Sequence, residues 1–165
     1  MCLDIDRSKH PCGCCLIARE DITVYKAGYV HELYKDCFAP FFHPKYCYSK
    51  NVVCEKIDLF PSKTIYTYNY EITSEGFHSC LTIRDAFVIY LNGYNFYKID
   101  KNCFEARVKD CYNDEFTLMR IGKFIIPKGS KYYLGIDNDI CSDKIIFIDF
   151  LSKEEHLIYP EKEGE

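Results

Sequence analysis

The chain has 165 residues, of which 48% are apolar and 16% aromatic, with 15 Tyr, 12 Phe and no Trp. That is enough for a single domain with a core of Phe, Tyr, Ile and Leu, and it excludes a disordered chain. A formal net charge of −4, without any Lys/Arg run, argues against a protein that grips nucleic acid through its phosphates.

The longest uncharged apolar runs, such as Ile145 to Ile148, are far too short to cross a bilayer, and no leader of charged then apolar residues opens the chain. A cytoplasmic protein without membrane attachment is expected. Eleven cysteines are an odd count in a chain of this size, so reduced thiols are expected rather than a disulfide framework.

From Met1 to Arg19 the pattern is irregular and cysteine-rich. Asp21 to Lys26 alternates with Ile22 and Val24 as a half-buried strand does, and Gly28 is read as its end. His31 to Lys50, with Pro40, Pro44 and many aromatics, reads as a long surface excursion pinned by Phe38, Phe41 and Phe42. Asn51 to Asp58 and Lys63 to Ile72 read as strands, the second with Tyr66, Tyr68 and Tyr70 on one face.

A helix is predicted over about 83–91. Thr82 is its N-cap, Ile83, Ala86, Phe87 and Tyr90 form its apolar stripe, and Asn92-Gly93 is its stop. Tyr94 to Ile99, Cys103 to Asp110, Glu115 to Ile126, Tyr132 to Leu134 and Lys144 to Leu151 are β-rich. The unbroken run Ile145 to Ile148 marks a strand covered on both faces. The expected fold is α+β: an antiparallel or mixed sheet of six to eight strands with one main helix. Residues 1–151 form one domain, and 152–165 form an acidic tail beginning as a frayed helix.

Three stretches carry candidate chemistry. His10, Cys12, Cys14 and Cys15 supply the ligand types of a zinc site, although their spacing is tighter than the paired ligands of structural zinc modules. His78, between Gly76-Phe77 and the predicted helix, is placed to act as a base or to pin a ligand. Cys80 has no orienting acid to support it as a nucleophile. Lys128, Ser130, Lys131, Tyr132 and Tyr133 lie on a Pro127-Gly129 turn that reads either as a turn alone or as a cradle for a phosphate and a base. Asp137-Asn138-Asp139 reads as a hairpin tip.

Met1-Cys2-Leu3, Val24-Tyr25-Lys26, Gly76-Phe77-His78 with Thr82 and Asp85-Ala86, Ile126-Pro127-Lys128-Gly129-Ser130 with Tyr132-Tyr133, and Ser142-Asp143-Lys144-Ile145 together resemble a family of small proteins of bacteriophages and gut bacteria. The resemblance implies an accessory protein acting in a bacterial host cytoplasm and brings no established activity. The order of elements is also similar to that of ADP-ribosyltransferase-like domains. This implies an enzyme acting on NAD with His78 and Asp143 as its residues, although the first strand lacks the His or Arg such enzymes use. The expected function is therefore a non-catalytic, anti-defence type of binding protein for a small nucleotide-like ligand or a host protein. The alternatives are an NAD enzyme and a zinc-stabilised module.

Overall fold

The computed structural model describes residues 3–6, 8–10, 14–31, 34–40, 47–56, 72–73, 76–86, 119–136 and 138–156. The strands are β1 (Leu3–Asp4), β2 (Leu16–Ile17), β3 (Ile22–Val30), β4 (Cys37–Pro40), β5 (Tyr48–Ser49), β6 (Val53–Glu55), β7 (Ile72–Thr73), β8 (Phe77–Cys80), β9 (Met119–Ile126), β10 (Lys131–Leu134), β11 (Asp139–Ser142) and β12 (Lys144–Phe150). Among the described residues ten of these belong to one antiparallel sheet, with the path β2-β10-β11-β8-β3-β9-β12-β6 and with β4 and β5 branching from β3; β1 pairs with β7 apart from it.

The long strand β3 organises this sheet. One edge runs against β9 without interruption, from Ile22 opposite Ile126 to Tyr29 opposite Met119. The other edge is shared: β8 touches it at Tyr25 opposite Cys80, and β4 takes over from Gly28 to Val30. β4 then pairs with β5. The turn after β5 meets β12, where Lys50 bridges Phe147 and the Asn51 N–H donates to the Phe147 carbonyl at 2.8 Å. Since β12 pairs with β9, the strands β3, β4, β5, β12 and β9 make a closed circuit of backbone contacts.

The circuit encloses aromatic side chains. Phe38, Phe124 and Phe147 are fully buried. The Phe38 ring meets Phe124 edge-on at 4.9 Å between centroids and lies 5.6 Å from Phe147, 5.9 Å from Phe150 and 6.2 Å from Tyr48. Such offset and edge contacts add to the area each ring removes from water. Phe38 fits because β3 and β9 carry glycine beneath it. A Cβ on Gly122 would lie 2.7 Å from the Phe38 ring, and one on Gly28 would collide with both that ring and the Ala39 carbonyl oxygen. A smaller cluster of Ile5, Tyr133 and Cys141 packs with Cys15, and there the N-terminal segment is tied down by the Asp6 N–H donating to the Leu134 carbonyl at 2.9 Å.

This mainly β architecture corrects the expected α+β fold with six to eight strands and one main helix. Thr82 does cap a helical turn at 83–86, its hydroxyl accepting from the Asp85 N–H at 3.0 Å, while 87–91 lie outside the described residues. The other described helix, Lys153–His156, is one turn, opened by Ser152 and Glu155 in a reciprocal capping box. A cap and a short apolar stripe specify where a turn begins, and strand pairing over long sequence separations outweighs them in setting the class of the fold.

The surface excursion expected over His31 to Lys50 is also corrected, because it supplies β4, β5 and the central Phe38. Gly28 does not end β3; it lets β4 approach. The hairpin tip expected at Asp137-Asn138-Asp139 sits between β10 and β11, where Asn138 adopts a left-handed φ of 57°. Tyr66, Tyr68 and Tyr70 lie outside the described residues, as do Phe41 and Phe42.

Phe38→Ala should destabilise the protein by about 3–5 kcal/mol in urea denaturation, the usual cost of emptying a fully buried phenylalanine site. The three atoms nearest a Cβ on Gly122 are all ring atoms of Phe38 and Phe124, so Phe38→Leu should recover part of the loss caused by Gly122→Ala. Gly28→Ala also meets backbone, and Phe38→Leu should recover little of it.

Candidate functional site

The alternation of β3 places Ile22, Val24, Lys26 and Gly28 on one face, so a lysine stands where the strand otherwise turns apolar or small residues to the core. Lys26 also lies where β8 has left the edge of β3 and β4 has not yet begun. Its ammonium occupies that fork. Nζ donates to the carbonyl oxygen of His78, in effect replacing a ladder hydrogen bond, and lies 5.8 Å from the centroid of the Tyr48 ring. Beside it, Lys56 Nζ lies 5.5 Å from the Phe77 ring, and the Tyr48 and Phe77 rings are 6.1 Å apart at 67°.

Burial lowers the Lys26 pKa to about 8, with the Lys56 ammonium acting in the same direction and Cys80 and Cys141 opposing it. None of these neighbours is a carboxylate. The nearby thiols are set the other way. Burial raises the Cys80 pKa, with the Asp85 and Asp139 carboxylates adding to the effect. Burial likewise pushes Cys47 up to about 12, together with a hydrogen bond to Cys37 and the proximity of Cys54. At neutral pH Cys47 and Cys80 are therefore protonated and weak as nucleophiles. The amine is the group moved toward reactivity.

His78 is half-buried on β8. It stands opposite Cys141, whose sulfur is 3.7 Å from Nε2, and Cys141 stands opposite Tyr133 on the next strand. Strand partners share a face, so the sheet does bring His78 and Tyr133 to the same row.

It does not bring the Lys128 turn there as an anion cradle. The N–H groups of Lys128, Gly129, Ser130 and Lys131 donate to Asp21 Oδ1, the Ala18 carbonyl, the Pro127 carbonyl and Asp143 Oδ1, at 2.8, 2.9, 3.1 and 2.9 Å. Ser130 is fully buried, and its hydroxyl donates to the Pro127 carbonyl at 2.6 Å. Lys128 and Lys131 are exposed, and Tyr132 packs against the main core. Asp143, the acid paired with His78 in the enzyme reading, is held on the backbone of Lys131.

His10 is buried, and both its ring nitrogens are engaged. Nδ1 is 3.0 Å from the Cys14 carbonyl and Nε2 accepts from the Leu134 N–H at 2.9 Å, which assigns the proton to Nδ1. Cys14 is exposed, Cys15 packs on the second cluster, and Cys12 lies outside the described residues. Among the described residues no three His, Cys, Asp or Glu side chains gather as a metal-ligand set.

The signal for Lys26 in the sequence is its place at period two after Ile22 and Val24 and before Gly28; reading Gly28 as the end of the strand hides it, because a lysine at a strand terminus is ordinarily solvated.

Two outcomes test this geometry. The folded protein disfavours the Lys26 ammonium, so between pH 8 and 10.5 the unfolded chain binds more protons and folding gains stability as pH rises. Relative to Lys26→Met, wild type should gain up to about 3 kcal/mol across that window. Urea denaturation of both proteins at each pH measures this, and the paired comparison cancels the titration of thiols and tyrosines; a constant difference contradicts it. His10→Ala should cost about 1–3 kcal/mol by stranding the Leu134 N–H and the Cys14 carbonyl, read by the same denaturation. Comparison with protein families, with curated proteins and with solved structures finds no match.

Proposed function

We propose that the protein is a non-catalytic binding protein, of the accessory kind carried by phages, that captures a small nucleotide-like anion at the fork of β3. The supporting observation is the pair of ammonium groups, Lys26 over Tyr48 and Lys56 over Phe77. Lys56 acts on Lys26 as a like charge, and the other groups acting on it, Cys80 and Cys141, are cysteines rather than carboxylates. An anion seated between the lysines removes that repulsion and accepts charge-assisted hydrogen bonds from both. The two rings are buried and meet edge-on, which fixes the places that the ammonium groups approach. Because the amine is already partly desolvated, a ligand gains a stronger contact there than from a solvated surface lysine.

Screening a panel of nucleotides by thermal denaturation tests this. A ligand at a hundred times its Kd stabilises by about 2.7 kcal/mol, which is roughly 5–10 °C in Tm for a chain of this size. Lys56→Ala should weaken the best ligand by roughly tenfold or more, and affinity should fall as pH rises above about 8 and Lys26 loses its proton. A panel in which no nucleotide shifts Tm, or a ligand indifferent to Lys56→Ala, overturns the reading.

A further inference from the structure

We propose that Lys26 is also a site of reversible covalent capture, at which its amine condenses with the carbonyl of a small anionic aldehyde while Lys56 holds the anionic group. The acceptor of the Lys26 hydrogen bond is a backbone carbonyl, that of His78, and this carries the argument. A carboxylate partner would hold the proton on nitrogen by its charge, whereas an uncharged backbone carbonyl can accept from the neutral amine as well, more weakly than from the ammonium, and leaves the nitrogen lone pair in place. The fork also fixes the side chain in place, with Nζ near the Tyr48 ring and against the His78 carbonyl of β8, so that the amine is presented from a set position.

With its pKa near 8, about a tenth of the amine is neutral at pH 7, against roughly one part in three thousand for an ordinary lysine. Among the described residues the titratable groups acting on it or packed against it are Cys80, Cys141 and Lys56, together with Tyr48, whose ring it approaches, and His78, whose carbonyl it meets. Cys80 stays a thiol, so Lys56 remains as the cation for the ligand's anionic group.

The step balances without a redox partner. The lone pair adds to the carbonyl carbon, the nitrogen proton passes to the former carbonyl oxygen, and loss of one water leaves the C=N bond. Water reverses it. The inference relies on the anion-binding reading for the role of Lys56 and not for the reactivity of Lys26.

Wild-type protein is incubated with pyridoxal phosphate at pH 8, reduced with borohydride to convert any imine to a stable secondary amine, digested, and mapped by mass spectrometry. Lys26 should be labelled at least tenfold above the exposed Lys128 and Lys131. Pyridoxal lacking the phosphate should label it several-fold less, and Lys56→Ala should reduce labelling by the phosphate form to a similar degree. Lys26 labelled no more than Lys128 and Lys131 overturns the proposal, even if nucleotides raise Tm. Selective labelling of Lys26 that is equal for the two aldehydes and unprotected by nucleotides upholds the reactive amine and removes the anion site instead. The deciding comparison, Lys26 against Lys128 and Lys131, is made on the wild-type chain and does not depend on any variant folding.

Discussion

Phe38 sits over Gly28 and Gly122 with its ring nearly touching the backbone of two strands, and the rest of the structure depends on that approach. A side chain on Gly28 would meet the Ala39 carbonyl oxygen and hold β4 away from β3, and one on Gly122 would displace the Phe38 ring. Without β4 against β3, β5 has no neighbour to pair with, the turn at Lys50 does not reach Phe147, and the circuit of strands stays open. Glycine weakens an isolated strand because it has no side chain to pack. Here the loss is offset by a buried phenylalanine that touches four other rings.

The same branching makes the chemistry. A strand that keeps one partner along its whole length has its edge groups satisfied residue by residue. β3 changes partner midway, which leaves a stretch of edge that neither β8 nor β4 covers, and Lys26 fills it with a long side chain and a donor for the His78 carbonyl. Burying an ammonium is costly unless it is hydrogen-bonded or its charge is reduced, and both conditions apply here. The depressed pKa is thus a consequence of how the sheet forks, and it makes Lys26 unlike the exposed lysines of the Pro127 turn.

Among the described residues Cys15, Cys80 and Cys141 behave as small apolar residues. Cys80 and Cys141 are buried in strands, Cys15 packs against the second cluster, and the thiols of Cys47 and Cys80 are raised well above the range in which they ionise at neutral pH. The imidazole beside them has a structural role too: His10 joins the Cys14 carbonyl to the Leu134 amide and so fastens the N-terminal segment to β10.

Several elements follow from the chain alone, because their determinants are local. The alternation around Ile22 and Val24, the apolar run Ile145 to Ile148, the Asn138 hairpin tip and the Thr82 cap all depend on neighbours within a few residues, and each is present in the fold. The class of the fold is not local. It depends on β3 finding β9 about a hundred residues later and on Phe38 finding two glycines on different strands, pairings that no periodicity within a window encodes.

The candidate site divides in the same way. His78 and Tyr133 could be named from their residue types, but their common row through Cys141 is set by strand order. Lys26 could not be told from a solvated lysine by its neighbours in sequence. The divergence of β8 and β4 along one edge of β3 encloses its ammonium, and desolvation, which acts through space, separates it chemically from a lysine whose ammonium stays in water.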